Sequence, residues 1–244
     1  MAKTKRLDKI LIEKKLADTI DKAKRLVMAG LIEVDGQIID KPGKQVHIDS
    51  GIKLKETSRY VSRGGLKLEA ALRHFKIDVS GKTAIDVGAS TGGFTDCLLQ
   101  HGAKFVYALD VGYGQLDWKL RQDERVLPVE RTNIRYVEPD KFDKPIEIAV
   151  IDVAFISLKK VLPTVAKLLV LNGEIIALIK PNFEARREEV EPGGVITDPQ
   201  IHKRIVSEII DFSSQIGLNS IGVCKSPITG ANAGNVEYLI YLKK

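Results

Sequence analysis

The 244 residues, 44% of them hydrophobic, can fill one large domain or a small and a medium one. No apolar stretch of signal-peptide length opens the chain, and no run reaches the roughly 18 apolar residues of a membrane span, so a cytoplasmic protein is expected. Cys97 and Cys224 lie far apart and the four histidines are scattered, which suggests neither a disulfide framework nor a metal site. The formal charge of +6 is unevenly placed: residues 1 to 60 hold 14 Lys and Arg against 9 Asp and Glu, a net of +5. A compact basic module beside a nearly neutral body points to a polyanion, most simply nucleic acid, although a solvated basic face has the same composition.

The first quarter reads as a small α+β unit. Leu7, Ile10 and Leu11 form one apolar stripe at helical spacing, and Ala23, Leu26 and Val27 a second that Gly30 ends. Ile32 and Val34 then alternate with polar residues before a turn at Asp35-Gly36, and Pro42-Gly43 makes another before Val46 and Ile48. Lys22, Lys24 and Arg25 surround the second stripe, with Lys3, Lys5 and Arg6 ahead of the first; these are the candidate nucleic-acid contacts, together with Arg63. The reading divides the chain into a domain over 1–56, a polar linker over 57–65 and a second domain over 66–244.

Beyond the linker, TAIDVG, FVYALDV, EIAVIDVA and GEIIALIK are short runs rich in Val and Ile, as in strands buried on both faces. Helical patterns separate them around Phe94–Gln100, Leu158–Leu169 and Ile201–Ile216, which predicts an α/β, doubly wound, mostly parallel sheet. SIGVCKSP and VEYLIYL follow without a full helix between them, so one is expected to run antiparallel.

The segment AIDVGASTGGFTD, residues 84 to 96, joins a strand to a helix through a glycine-rich turn. Ligands bind at such strand ends where the sheet changes direction. Gly88, Gly92 and Gly93 would let a ligand approach the backbone, while Ser90 or Thr91 could cap the helix; the same pattern also suits a simple tight turn. Asp110, ending FVYALD, stands where an acid accepts ribose hydroxyls, in an NAD enzyme as in others. GxxxGG departs from the dinucleotide GxGxxG spacing. The loop resembles the S-adenosylmethionine-binding strand and loop of class I methyltransferases, which adds Ser90, Thr91 and Phe94 to the cofactor candidates and places Asn133, after VLPVERTN, near adenine.

Four charged residues interrupt or end apolar segments: Lys67 in SRGGLKLEAAL, Asp152 in AVIDVAF, Lys180 in IALIKP and Glu237 in NVEYLIY. Burying such groups unpaired is costly, so each position needs an explanation. Lysine, with an ordinary pKa near about 10.4, is a poor base at neutral pH; burial and a second lysine favour its neutral form, whereas carboxylates oppose that.

These motifs together resemble the TlyA family, whose members carry names both of haemolysins and of ribosomal RNA 2'-O-methyltransferases. RLDKIL and DKAKRLVMAGLIEVDGQIIDKPGKQV look like an S4-type RNA-binding domain. SRGGLKL, DVGASTGGFTD, the strands ending in Asp152 and Lys180, and VEYL follow the FtsJ-like Lys-Asp-Lys-Glu order. The resemblance implies a Rossmann-like class I methyltransferase domain with a seven-stranded sheet and S-adenosylmethionine as cofactor. It also implies Lys67, Asp152, Lys180 and Glu237 as the reacting tetrad with Lys180 as base, and cytidine riboses in 16S and 23S ribosomal RNA as targets, within subunits or assembled ribosomes. SRGG and STGG replace the SRA and proline-containing loop of FtsJ, and Asp21-Lys22 stands where the RNA-binding domain commonly has Ser-Arg, where lysine lacks a bidentate fork. The competing expectations are an RNA-binding assembly factor without activity, a nicotinamide-dependent oxidoreductase and a haemolysin acting indirectly. The charged segment NFEARREEVEPGGVITDP after Lys180 reads either as a closing loop or as a surface connection.

Overall fold

The computed structural model describes residues 3–28, 30–54, 59–230 and 234–244, in two compact units, Met1–Ser58 and Arg59–Lys244. The basic lead-in to the first apolar stripe is itself a strand, β1 (Thr4–Arg6), followed by α1 (Leu7–Glu13) and α2 (Ile20–Met28). Three short strands, β2 (Ile32–Val34), β3 (Gln37–Ile38) and β4 (Gln45–His47), precede β5 (Ile52–Leu54). β1 pairs antiparallel with β4, while β3, β2 and β5 form a separate antiparallel ribbon. Asp35 and Gly36 both have positive φ, 49° and 85°, as a two-residue hairpin between right-twisted strands demands. Leu7, Ile10, Leu11, Ala23 and Val27 pack with Ile32, Val34 and Val46 to form this unit's core.

The second unit begins earlier than its polar composition suggests. Thr57 and Ser58, the start of the expected linker, lie outside the described residues, but Arg59–Gly65 belongs to the folded body. Tyr60 is 1% exposed, and a Cβ on Gly65 would come within 2.2 Å of its ring. Val61 N–H donates to the buried Asp96 carboxylate at 2.9 Å. One aromatic ring and one buried carboxylate thus hold this stretch against the domain, features that polar composition hides.

The unit then runs through α3 (Gly64–Phe75), β6 (Thr83–Val87), α4 (Gly93–Gln100), β7 (Phe105–Leu109), α5 (Trp118–Arg121), β8 (Val126–Val129) and β9 (Ile146–Ile151). It finishes with α6 (Leu162–Leu168), β10 (Leu169–Ile179), α7 (Pro181–Glu184), α8 (Pro199–Gln215), β11 (Asn219–Lys225) and β12 (Tyr238–Lys243). The seven strands lie in the order β11-β12-β10-β9-β6-β7-β8, and β12 alone runs against its neighbours. Alternation along β6 sends Ile85 and Val87 into one apolar core and Ala84 into the other; along β10, Ile175, Ala177 and Ile179 oppose Ile176 and Leu178. Leu162, Val165, Ile205 and Ile209 from α6 and α8 cover the first face, and Leu68, Leu72, Phe94 and Leu98 from α3 and α4 cover the second. Leu169, expected to end a helix, opens β10 instead: its pairing with Ile146 precedes a register shift, and Asn172 takes φ 62° within that irregularity.

Candidate active site

The sheet changes winding direction between β6 and β9, so the carboxyl ends of these strands diverge into a crevice. Parallel register aligns Val87 with Leu109 and with Ile151, which brings the residues that follow them, Gly88, Asp110 and Asp152, to one edge. Antiparallel register pairs Ile179 with Tyr238, so Lys180 and Glu237 emerge side by side at that same edge. Lys67 reaches it from the first turns of α3, a helix that the sequence reading left unassigned.

The charged groups form two ion pairs. Lys67 Nζ donates to Glu237 Oε2 at 2.5 Å, and the two residues are 8% and 5% exposed. Lys180 Nζ lies 2.5 Å from Asp152 Oδ1, which is itself buried. Lys67, Asp152 and Lys180 line one cavity of about 550 Å³ with Arg63, Gly88, Ser90, Thr91, Gly93 and Phe94. Arg63 is exposed at its wall and donates to the Thr229 carbonyl at 2.7 Å.

A second cavity of about 770 Å³ shares Gly88, Ser90, Asp152 and Ala154 with the first and adds Asp110 and Asn133 among apolar walls that include Leu109, Ile134 and Ile156. Asp110 accepts the Ser90 N–H at 2.8 Å and the Gly112 N–H at 2.7 Å, which holds its carboxylate at the cavity. Asn133 Oδ1 caps the turn Ile134–Tyr136 by accepting the Arg135 N–H. An acid at a strand end, an amide and apolar walls suit a nucleoside, which is polar at its sugar and flat and apolar at its base.

The glycines of the loop have reasons internal to the fold. A Cβ on Gly88, at φ 86°, would stand 2.5 Å from the Asp152 carbonyl; on Gly92, at φ 93°, it would meet Leu120 at 2.3 Å; on Gly93, it would meet Ser62 Oγ at 2.1 Å. Gly92 lines neither cavity, and it, not Ser90 or Thr91, occupies the N-cap of α4, without a side-chain cap. Ser90 has φ 48° and turns its N–H toward Asp110 instead.

Beneath the loop, Asp86 is fully buried; Oδ2 accepts the Thr95 hydroxyl at 2.6 Å and Oδ1 has no partner. Burial pushes its carboxyl up to about 7 against the opposing Thr95 hydrogen bond, helped by the nearby charges of Asp152 and Asp110.

Two aromatic residues that no sequence motif marks, Phe155 and Phe183, also line the second cavity. Phe155 is 86% exposed at φ 61°, an uncommon conformation for an aromatic residue, and its ring lies 5.1 Å from that of Phe183. Both follow closely after a charged strand end, Asp152 or Lys180, and that is the signal that could have found them. The segment after Lys180 is tied down: Arg204 pairs with Glu189, and Asn235 accepts the Ile196 N–H and donates to the Gly194 carbonyl.

In the N-terminal unit, the candidate basic residues mostly have acidic neighbours. Arg6 grips the buried Asp8 through Nε at 3.1 Å and Nη2 at 2.6 Å; Lys5 pairs with Glu13, Lys22 with Asp18 and Lys24 with Asp21. Lys3 and Arg25 are exposed. The Lys5, Lys22 and Lys24 pairs are exposed on both sides, contribute little and exchange readily for phosphates. No helix among the described residues is long and apolar enough to cross a membrane, and no cluster among them could hold a metal ion.

The FtsJ-like methyltransferase family model matches residues 60–244 and the S4 domain model residues 5–52. YqxC of Bacillus subtilis, which carries the name of an rRNA methyltransferase, is 51% identical over 99% of this chain and 86% of its own. The 16S/23S rRNA (cytidine-2'-O)-methyltransferase TlyA of Mycobacterium tuberculosis is 41% identical over 100% of this chain and 91% of its own. A solved structure of a hemolysin-named protein from Streptococcus thermophilus matches with a TM-score of 0.76 and 46% identity, over 100% of this chain and 90% of that one. The chain therefore belongs to the TlyA family, in which an S4 domain precedes an FtsJ-like methyltransferase domain.

Proposed function

We propose that this protein transfers a methyl group from S-adenosylmethionine to the 2'-hydroxyl of a cytidine ribose in ribosomal RNA, 16S, 23S or both. The observation that carries the reading is the pair of lysine–carboxylate contacts, Lys67–Glu237 and Lys180–Asp152, converging on a cavity that adjoins a nucleoside-shaped one. The TlyA relative from M. tuberculosis bears the corresponding activity in its name.

When bound, the cofactor supplies a methyl group already activated on a sulfonium, which leaves the protein the tasks of alignment and proton removal. Asp110 would hold its ribose hydroxyls, Asn133 its base, and the backbone of Gly88 to Ser90 the junction with the first cavity. Lys180 is the group to receive the hydroxyl proton, which requires that it first release to solvent the proton it carries in its pair with Asp152. Asp152 orients that amine and balances the charge once the proton arrives. Lys67, fixed by Glu237, adds a positively charged donor that favours the oxyanion form of the acceptor. The S4 domain brings RNA charge and register to this cavity, with Lys3, Lys5, Arg6, Lys22, Lys24 and Arg25 against phosphates and Arg63 beside the acceptor strand.

The test incubates the protein with radiolabelled S-adenosylmethionine and naked 16S or 23S RNA, separate subunits or assembled ribosomes, with Lys180→Ala alongside. Label is expected on a cytidine ribose with wild type and not with the variant. Cofactor binding without transfer to any of these substrates would leave an RNA-binding assembly factor in its place.

A further inference from the structure

The two loops that carry Asp152 and Lys180 are joined by a carboxylate that faces neither cavity. Glu184 closes α7, the single turn that follows Lys180. Its Oε2 accepts the Ser157 hydroxyl at 2.6 Å and its Oε1 the Leu158 N–H at 2.7 Å, both on the loop that follows Asp152. Ser157 Oγ in turn accepts the Lys159 N–H at 3.1 Å, so one carboxylate organises the start of the turn Leu158–Lys160. Burial raises the Glu184 carboxyl above its ordinary range, and the Ser157 and Leu158 donors oppose that. Lys159 and Glu208 face the same group and pair with each other at 2.9 Å. On the cavity side the loops meet a second time through the Phe155 and Phe183 rings.

Lys180 is therefore anchored in two ways. β10 fixes it from the N-terminal side, and α7 and Glu184 fix it from the C-terminal side to the segment that also sets the direction of Asp152. A lysine ammonium on a four-carbon stem has many rotamers, and misplacement of a reacting group by about 1 Å can cost on the order of a hundredfold in rate. We infer that Glu184 is a positioning residue, which holds the Asp152–Lys180 pair in register by tying the loop after β9 to the turn after β10. This inference rests on the methyltransferase reading of that pair.

The experiment compares wild type with Glu184→Ala, Glu184→Gln and Ser157→Ala by methyl transfer under saturating cofactor, and by the pH titration of the Lys180 Cε resonance in protein labelled with ¹³C-lysine, assigned through Lys180→Ala. Glu184→Ala should lower kcat by roughly tenfold or more and leave KM for RNA and cofactor within about twofold. It should also move the Lys180 titration midpoint by about half a pH unit or more, because the distance to Asp152 changes. Glu184→Gln, which keeps the reach and one acceptor, should recover part of both effects. Ser157→Ala, which removes one of the two bonds and leaves the backbone in place, should show the smaller version if Glu184→Ala folds poorly. A Lys180 titration identical to wild type in folded Glu184→Gln and Ser157→Ala overturns the inference, whatever happens to turnover. A displaced titration in a protein whose wild type transfers no methyl group overturns the methyltransferase reading and leaves the positioning intact.

Discussion

Lys67 Nζ and Glu237 Oε2 meet at 2.5 Å across 170 residues of chain, one from the start of a helix and the other from the approach to the antiparallel strand. Both groups are nearly enclosed, so removing either leaves a buried charge without its partner, which typically costs about 3 kcal/mol or more. Urea denaturation of Lys67→Ala, Glu237→Ala and the double variant should give two large single losses and a coupling of roughly 1–3 kcal/mol. Additive losses would mean that the two side chains do not stabilise each other.

Asp110 is anchored by two backbone amides and still faces the larger cavity. Asp110→Ala should weaken S-adenosylmethionine binding by roughly tenfold or more, the value of one charge-assisted hydrogen bond, and leave RNA affinity unchanged. Calorimetric titration of the cofactor checks this, and equal affinities for variant and wild type would remove Asp110 from the cofactor site.

Asp86 links stability to pH. Its folded value of about 7 lies above that of an unfolded carboxyl, so the native state holds the extra proton between these values. Its contribution is complete below about pH 4 and is lost as pH rises through about 7, on the order of 4 kcal/mol in all. Asp86→Asn keeps the acceptor for Thr95 and removes the titration. Thermal melts from pH 5 to 8.5 should show a flatter profile for the variant and its largest relative gain at the alkaline end; parallel profiles would show that Asp86 does not titrate in this range.

Gly88 tests the packing reason for the loop. A Cβ there meets the Asp152 carbonyl at 2.5 Å on a backbone at φ 86°, so Gly88→Ala should destabilise the domain by roughly 2 kcal/mol or more and should shift Asp152 as well. Retention of wild-type melting temperature would mean that the strand ends can separate without cost.

RNA affinity should depend on salt through the N-terminal unit. Replacing Lys22, Lys24 and Arg25 together by Ala is expected to lower the slope of log affinity against log salt by about 2, at roughly 0.7 to 0.9 per phosphate contact, with cofactor affinity unaltered. Filter binding across a salt series measures it; an unchanged slope would place the phosphate contacts elsewhere.

Much of the scaffold is legible in the sequence because its signals are local. Short apolar runs rich in Val and Ile mark strands covered on both faces, as at Thr83–Val87 and Ile146–Ile151. The loop after β6, the acid at 110 and the charged ends at 152 and 180 mark one sheet edge, since every parallel strand delivers its last residue to the same side. Local pattern fails where distant side chains decide. Tyr60 looks like linker until its ring is seen under Gly65, and Leu169 looks helical until β9 offers it a pairing.

What the sequence by itself determined is which residues carry charge into apolar surroundings and that they sit at strand ends. Only the tertiary structure decided the partners. It set Lys67 against Glu237 and Lys180 against Asp152, gave the loop glycines packing partners within the fold, and put Glu184 across two loops. The physical reason is strand register: the pairing of Ile179 with Tyr238 and of Val87 with Ile151 fixes which side chains face each other, and no local preference encodes a pairing between segments so far apart.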